Sequence, residues 1–183
     1  EVTAPVVVVE GFDLNDDLNW PELYALLNQQ NLLEDLRAAG RDAVVLNFDV
    51  ATDPIQRNAY LLVELLQTLD DDLPPGATYP VIGASMGGLV ARYALAWLEQ
   101  EGGGHACDLF VSFDAPQAGA VIPLGLQCWL DFFAAESSEA ADLLSRLDTV
   151  GARQMLLHHH TALDGTTARP SSLYADLRAD LAA

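Results

Sequence analysis

The sequence contains no lysine, since all eight of its basic residues are arginine. Without a lysine amine the chain cannot supply the phosphate-binding lysine of a Walker A loop. It also cannot form a Schiff base with a carbonyl substrate or with pyridoxal phosphate. The 27 acidic residues give a formal net charge of −19. Because nucleic-acid binding depends on Lys and Arg side chains that neutralise phosphates, nucleic acid is not an expected partner.

The excess of acidic residues has two interpretations that the sequence leaves open. One is a solvated acidic surface that keeps the protein soluble. The other is adaptation to a saline habitat, where a Debye length of roughly 3 Å at molar ionic strength removes the self-repulsion of such a surface. Activity and melting temperature measured against KCl concentration distinguish the two, since a protein equally stable without salt is not a halophile.

Cysteine and histidine are also scarce. Cys107 and Cys128 show no CxxC or metal-like spacing, so two buried thiols are expected rather than a disulfide. The histidines are His105 and the run His158-His159-His160, which we interpret as residues at a helix end that interact with the helix dipole. We therefore predict no metal site and no cofactor.

Long apolar runs are absent. No segment approaches the roughly 18 apolar residues that a membrane-spanning helix requires. The most apolar stretch, residues 120–135, is interrupted by Pro123, Gly125 and Asp131, and is expected to be a flap or a buried segment. No positively charged region followed by an apolar region marks a signal peptide.

Four short apolar strands alternate with helical segments in the first part of the chain. Continuous β-branched runs such as Val6–Glu10 are typical of strands buried on both faces. The further predicted strands are Ala43–Phe48, Tyr79–Ala84 and Asp108–Phe113, and the predicted helices are Pro21–Ala39, Asp53–Leu69 and Met86–Glu101. This alternation predicts an α/β fold with a mostly parallel sheet and helices on both faces.

After Asp114 the pattern changes. Residues 116–183 contain no convincing fifth strand, and helices are expected at Gln127–Ala135, Ser138–His158 and Ser171–Leu181. We predict one domain over residues 1–183, with an α/β core at 5–115 and a flap or helical region at 116–183.

The segment Gly83-Ala84-Ser85-Met86-Gly87-Gly88 carries the clearest chemical signal. It is a Gly-x-Ser-x-Gly motif between a predicted strand and an amphipathic helix, which is the strand-to-helix elbow of a serine nucleophile. Glycines at 83 and 87 are expected to relieve clashes in the tight turn, and Gly88 to let a second segment approach. A phosphate-cradling turn or a plain glycine-rich turn is the alternative. Ser85 is the predicted catalytic nucleophile.

Two backbone N–H groups are candidates for an oxyanion hole. One belongs to Met86, the residue after the nucleophile, and the other to a loop after an earlier strand. Glu10-Gly11-Phe12-Asp13 follows the first strand, and the Phe12 N–H is our candidate there. The alternative is that Gly11 merely ends the strand.

These motifs resemble those of the lipase/esterase-type α/β-hydrolase family, in particular a bacterial subgroup common among secreted proteins of the Bacteroidetes. The resemblance spans roughly residues 5–130. The matching segments are Glu10–Asp13, Ile55–Ala59, Val81–Gly88, Ala91–Leu95, Ser112–Pro116 and Gly119–Leu124. It implies an α/β-hydrolase core, a serine esterase activity on a small or lipid-like ester, and an extracellular or periplasmic location. Where related sequences commonly have Pro-His-x-Gly, this chain has Pro116-Gln117-Ala118-Gly119.

The remaining triad residues are less clearly marked. Asp114 ends the strand after the elbow, where such enzymes can carry the acid, although a turn-forming Asp before Ala-Pro is an equal alternative. The base is expected after the last strand, which leaves His158, His159 and His160. The resemblance implies two further strands that carry the acid and base, so the expected interpretation is a domain incomplete at its C-terminus.

Two functions follow from this sequence. The first is ester hydrolysis through an acyl-enzyme on Ser85, with the apolar segment 120–135 placed over the site or, alternatively, packed as a helix on the core. The second is a non-catalytic binding or interaction module that keeps the elbow as a structural turn.

Overall fold

The computed structural model describes residues 2–13, 20–101, 103–164 and 167–182. These residues form two compact units, the first comprising Glu1–Ala51 with Gln56–Ala115 and the second Thr52–Ile55 with Pro116–Ala183. The boundary between Ala115 and Pro116 lies where the sequence pattern changes.

The first unit is an α/β layer structure. Its elements in chain order are β1 (Pro5–Val9), α1 (Trp20–Leu27), α2 (Leu32–Ala38), β2 (Asp42–Leu46), α3 (Ile55–Asp72), β3 (Tyr79–Ala84), α4 (Met86–Gln100) and β4 (Cys107–Phe113). All strand pairs are parallel, and the order across the sheet is β2-β1-β3-β4. For this strand order, the rule of right-handed crossovers predicts α1 and α2 on one face of the sheet and α3 and α4 on the other. The predicted fold class is confirmed.

The core of the first unit lies between this sheet and its helices. The side chains Val6, Val7, Val8 and Val9 of β1 are all nearly inaccessible, as expected for an inner strand covered on both faces. The buried apolar face of α3 is formed by Ala59, Leu62, Val63, Leu66 and Leu69. The predicted strand positions are correct to within two residues because continuous β-branched runs need burial on both sides.

The predicted helix Pro21–Ala39 is wrong as a single element. The chain forms α1 and α2 with a turn between them, in which Asn31 adopts a left-handed conformation with φ 59°. The Asn28 side-chain oxygen accepts a hydrogen bond from the Leu33 N–H at 3.0 Å. Asparagine side chains that bond the backbone in this way compete with the helix, which explains the break. Gly40, with φ 73°, occupies the predicted position after the helix end.

The second unit is mainly helical, as predicted. It contains α5 (Leu124–Phe133), α6 (Ser138–Leu147), α7 (Val150–Met155), a 3-10 turn (His160–Ala162), the two-residue strands β5 (Leu163–Asp164) and β6 (Thr167–Ala168), and α8 (Ser172–Asp180). The strands β5 and β6 pair only with each other and are antiparallel. The predicted helix Ser138–His158 is two helices, because Thr149 starts α7 by accepting a hydrogen bond from the Ala152 N–H.

None of the helices in the described ranges has the combination of length and hydrophobicity needed to cross a membrane. Both cysteines are free thiols. Cys107 is partly buried and Cys128, in α5, is exposed, so the expectation of two buried thiols is wrong.

A buried tyrosine ties α3 to the sheet. The Tyr79 side chain is fully buried, and its hydroxyl donates to Asp70 Oδ1 at 2.7 Å. Burial, together with the Asp70 carboxylate, raises the pKa of Tyr79, so the phenol remains a donor across the ordinary pH range.

Replacing this tyrosine by phenylalanine is expected to lower the free energy of unfolding by about 1–2 kcal/mol, because Asp70 then loses a buried donor. Urea denaturation of Tyr79→Phe measures the change. The control is Tyr60→Phe, because Tyr60 is 44% exposed. Its ring keeps the edge contacts with Tyr93 and Trp97 after the substitution. Equal stability of the two variants would contradict the role given to Asp70.

Candidate functional site

The candidate site lies at the point in the sheet where the direction of the strand connections reverses. The chain passes from β1 to β2 on one side and from β3 to β4 on the other, so the connections diverge between β1 and β3. In open parallel sheets a crevice for ligands forms at the carboxyl ends of the strands on either side of such a reversal. Gly11 comes shortly after β1 and Ser85 directly after β3, so both lie at this crevice.

Ser85 has the backbone of a strained turn. Its φ of 51° and ψ of −124° are rare for a residue with a side chain. The Ser85 N–H donates to the Phe113 carbonyl at 2.9 Å, and α4 begins at the next residue. The serine side chain is exposed, which leaves its hydroxyl accessible. Strain of this kind is kept when the surrounding structure enforces it, and it is concentrated at functional sites.

Three glycines allow the tight turn. A Cβ on Gly83 would lie 2.4 Å from the Gly87 carbonyl oxygen, and one on Gly87 would lie 2.4 Å from the Glu10 carbonyl oxygen. A Cβ on Gly88 would lie 2.4 Å from the Ala115 Cβ, where the end of β4 approaches the helix. The predicted reasons for glycine at these three positions are therefore confirmed, because any side chain there would collide with neighbouring atoms.

A cavity of about 220 Å³ opens beside the serine. It is lined by the loop after β1, by α1 and by the end of β3, through Glu10, Gly11, Phe12, Asp13, Leu23, Leu26, Leu27, Ala84 and Ser85. All of these residues belong to the first unit. A Cβ placed on Gly11 would lie 3.3 Å from the Ser85 Cβ, so the loop passes directly over the serine.

The two predicted oxyanion donors belong to different elements beside Ser85, Phe12 to the loop after β1 and Met86 to the start of α4. Phe12 lines the cavity directly. Met86 follows the serine as the first residue of α4, and its side chain is fully buried. The first N–H groups of a helix have no acceptor within the helix, and the positive end of the helix dipole lies there. The backbone therefore offers polar hydrogens next to Ser85.

The loop after β1 is held by an acidic side chain. Glu10 is only 5% exposed, and its Oε2 accepts a hydrogen bond from the Phe48 N–H at 2.8 Å. The Glu10 N–H donates to the Leu46 carbonyl at 3.1 Å. These bonds tie the loop to the end of β2, so they fix the position of Gly11 and Phe12 over the serine.

Asp114 lies at the same edge of the sheet but is not among the lining residues of the cavity. It directly follows β4, is exposed, and has φ 47°. Aspartate tolerates this left-handed conformation better than most residues, which agrees with the alternative of a turn-forming residue. Its assignment as the triad acid remains a prediction.

The histidine run does not lie where the sequence suggested. Helix α7 ends at Met155, so His158, His159 and His160 lie beyond its end and the helix-dipole interpretation is wrong. The side chain of Gln127 holds this segment, donating to the His158 carbonyl at 3.1 Å and accepting from the His160 N–H at 3.0 Å. The His159 ring is fully buried and both of its nitrogens have hydrogen-bond partners, so it is not free to accept a serine proton.

Two further features singled out in the sequence, the apolar segment 120–135 and Gln117, belong to the second unit and lie in α5 and in the loop before it. Most of the segment 120–135 is α5, in which Gln127 and Leu130 are buried while Trp129 and Phe132 are 54% and 76% exposed. Gln117 accepts a hydrogen bond from Arg178 through its backbone carbonyl.

The sequence did not identify Leu23, Leu26 and Leu27 as cavity residues. They follow the helical period, which marks them as one apolar stripe and was interpreted as core. Leu23 is buried but Leu26 is 51% exposed, which shows that part of this stripe faces the cavity. The strand order places β1, and so the loop that leads to α1, beside β3, but periodicity alone does not supply that order.

The fold and the site together define an α/β protein with a serine elbow at the switch point of a four-stranded parallel sheet. Comparisons with protein-family models, with curated proteins and with solved structures find no match to this chain. The function is therefore inferred from the geometry of the site.

Proposed function

We propose that the protein is a serine hydrolase that cleaves carboxylic esters through an acyl-enzyme on Ser85. The observation that carries the proposal is the strained serine between β3 and α4, with its hydroxyl exposed beside a cavity at the carboxyl edge of the sheet. An exposed hydroxyl next to the N-terminus of a helix is the arrangement that acyl transfer requires.

The proposed reaction has two halves. The Ser85 Oγ bonds to the ester carbonyl carbon while a histidine takes the hydroxyl proton, and the N–H groups of Met86 and Phe12 stabilise the oxyanion. The carbon–oxygen bond to the alcohol breaks, and the histidine returns the proton to that alcohol. Water then attacks the acyl-enzyme in the same way and releases the acid and free Ser85.

The histidine has to come from outside the first unit. The first unit contains one histidine, His105, which lines a different cavity together with Arg92, Glu99 and Asp108. The described lining of the Ser85 cavity contains none. The first unit thus supplies the nucleophile and the oxyanion donors, and the base is a histidine that does not belong to it.

The cavity favours a small, uncharged acyl group. Its volume of about 220 Å³ lies below the roughly 300 Å³ at which drug-sized ligands are accommodated. Leucines from α1 supply an apolar wall, whereas the carboxyl groups of Glu10 and Asp13 disfavour an anionic substrate.

We expect kcat/KM for p-nitrophenyl esters to be highest with acetyl to butyryl groups, and to fall by on the order of tenfold or more for a palmitoyl group. The assay is release of p-nitrophenolate across a series of chain lengths. Replacing Leu26 by Trp, which narrows the cavity from its exposed side, should lower turnover of butyrate more than of acetate. A preference for palmitate would contradict the assignment of the acyl group to this cavity.

A non-catalytic module of the same fold is the second candidate, and the lack of a histidine in the described cavity lining favours it. Such a module would bind a small apolar ligand in the cavity without reacting. Ester turnover that requires Ser85 argues against the module, whereas saturable binding of an ester without turnover supports it.

A further inference from the structure

A group of three metal-binding side chains lies in the second unit. One potential ligand atom each from Asp148, His159 and His160 lies within 4.8 Å of the other two, and no other group of this kind is found among the described residues. Two imidazoles and one carboxylate are the donor types found in zinc sites with an open fourth position. This group is separate from the residues of the Ser85 cavity, and it was not predicted from the sequence.

The spacing within the group already approaches that of a coordinated ion. His159 Nε2 lies 3.1 Å from Asp148 Oδ1. Two ligands of a tetrahedral ion, each about 2.0 Å from it, are separated by roughly 3.3 Å. The third ligand, His160, lies beside His159, with ring centroids 4.5 Å apart. A small adjustment of side chains would therefore bring all three donors onto one ion.

The second ring nitrogen of His159, Nδ1, has a hydrogen-bond partner in the protein. His159 Nδ1 lies 2.7 Å from the hydroxyl of Thr161. The Thr161 N–H also points to Nδ1, at 3.3 Å. With an ion on Nε2, Nδ1 would carry the proton and donate to the hydroxyl, and this longer backbone contact would be given up. Histidine ligands of metals usually have such a partner, which fixes the ring orientation.

The backbone of the histidines is also fixed. Leu157 N–H donates to the Ala120 carbonyl at 2.9 Å, on one side of the run. The fully buried Gln127 side chain binds the backbone at His158 and His160. Because these bonds already order the segment, the protein would lose little conformational entropy when an ion binds.

One ring nitrogen of His160 lacks a hydrogen-bond partner among the described residues. The Nδ1 atom of His160 is buried and has no hydrogen-bond partner among the described residues. A buried polar atom in this state carries a cost that a bound ion or a proton donor would remove. Asp148 has its side chain 40% exposed, which gives an ion access from solvent.

We propose that Asp148, His159 and His160 bind one divalent transition-metal ion of the zinc type, with water in the remaining position. The ion would replace the contacts that His159 Nε2 makes with the Asp148 carboxylate and the Leu147 carbonyl. One carboxylate and two neutral imidazoles would hold it. The site joins the end of α6 to the turn after α7, so the ion stabilises the second unit. This differs from the expectation of no metal site.

The test is titration of the untagged full chain with Zn²⁺ by isothermal calorimetry, after treatment with a chelator and dialysis. We expect one Zn²⁺ per chain. Asp148→Asn and His160→Gln should each weaken Kd by about tenfold or more, since each removes one of three ligands. His158→Gln is the matched control, because this histidine belongs to the same run but not to the group, and its Kd should be unchanged.

A thermal measurement supplies a second readout. Excess Zn²⁺ should raise the melting temperature of the wild-type chain and of His158→Gln, but not that of Asp148→Asn. Circular dichroism without metal verifies that all variants fold. The proposal is wrong if the folded wild-type chain takes up no stoichiometric Zn²⁺, or if both ligand variants bind it as tightly as the wild type does. Equal weakening by His158→Gln would also overturn it.

Discussion

Ser85→Ala is expected to reduce ester turnover by about 10⁵-fold or more, because the variant has no nucleophile to form the acyl-enzyme. Stability should change by less than about 1 kcal/mol, since the lost hydroxyl is on an exposed side chain. Hydrolysis of p-nitrophenyl butyrate by wild type and variant measures the effect, and urea denaturation verifies the fold.

The matched control for this variant is Ser145→Ala. Ser145 is an exposed serine in α6 whose hydroxyl donates to the Asp142 carbonyl, and its loss should leave turnover unchanged. Turnover that survives in Ser85→Ala, or that falls equally in the control, would assign the activity to another group or to a contaminant.

Gly87→Ala is expected to lower the free energy of unfolding by about 3 kcal/mol or more. The added Cβ would lie 2.4 Å from the Glu10 carbonyl oxygen and 2.5 Å from that of Val9. Both atoms belong to the backbone at the end of the central strand β1, so they cannot move aside as a flexible side chain could. The helix α4 would have to shift away from the sheet, and turnover at Ser85 should fall with it.

Urea denaturation of Gly87→Ala measures this loss, with Gly103→Ala as the control. A Cβ on Gly103 would meet its nearest neighbour, the Leu98 side chain, at an ordinary 3.5 Å. The control should therefore lie within about 0.5 kcal/mol of the wild type. If Gly87→Ala were as stable as the control, the close approach between the elbow and β1 would not exist in solution.

The sequence was sufficient for those features that depend on local pattern. Runs of β-branched residues located β1 and β2, and the Gly-x-Ser-x-Gly motif located the turn between β3 and α4. Both signals are contained within about ten residues. The glycine requirement at 83, 87 and 88 followed from the tightness of the turn and agrees with the distances in the structure.

Features that depend on capping or on distant contacts were not predictable in the same way. Apolar periodicity continued across Asn28–Asn31 and across Asp148–Thr149, yet side-chain hydrogen bonds at Asn28 and Thr149 start new helices there. His159 is buried and contacts the end of α6, twelve residues earlier, so its immediate neighbours in the chain gave no indication of this burial.

The assignment of the nucleophile is tested most directly by treating the folded protein with a fluorophosphonate and mapping the modified peptide by mass spectrometry. The expected outcome is one phosphonyl group per chain, on the peptide that contains Ser85. Protein that is denatured before the treatment should carry none. Modification of a different serine, or an unmodified Ser85 in protein that turns over esters, would contradict the assignment.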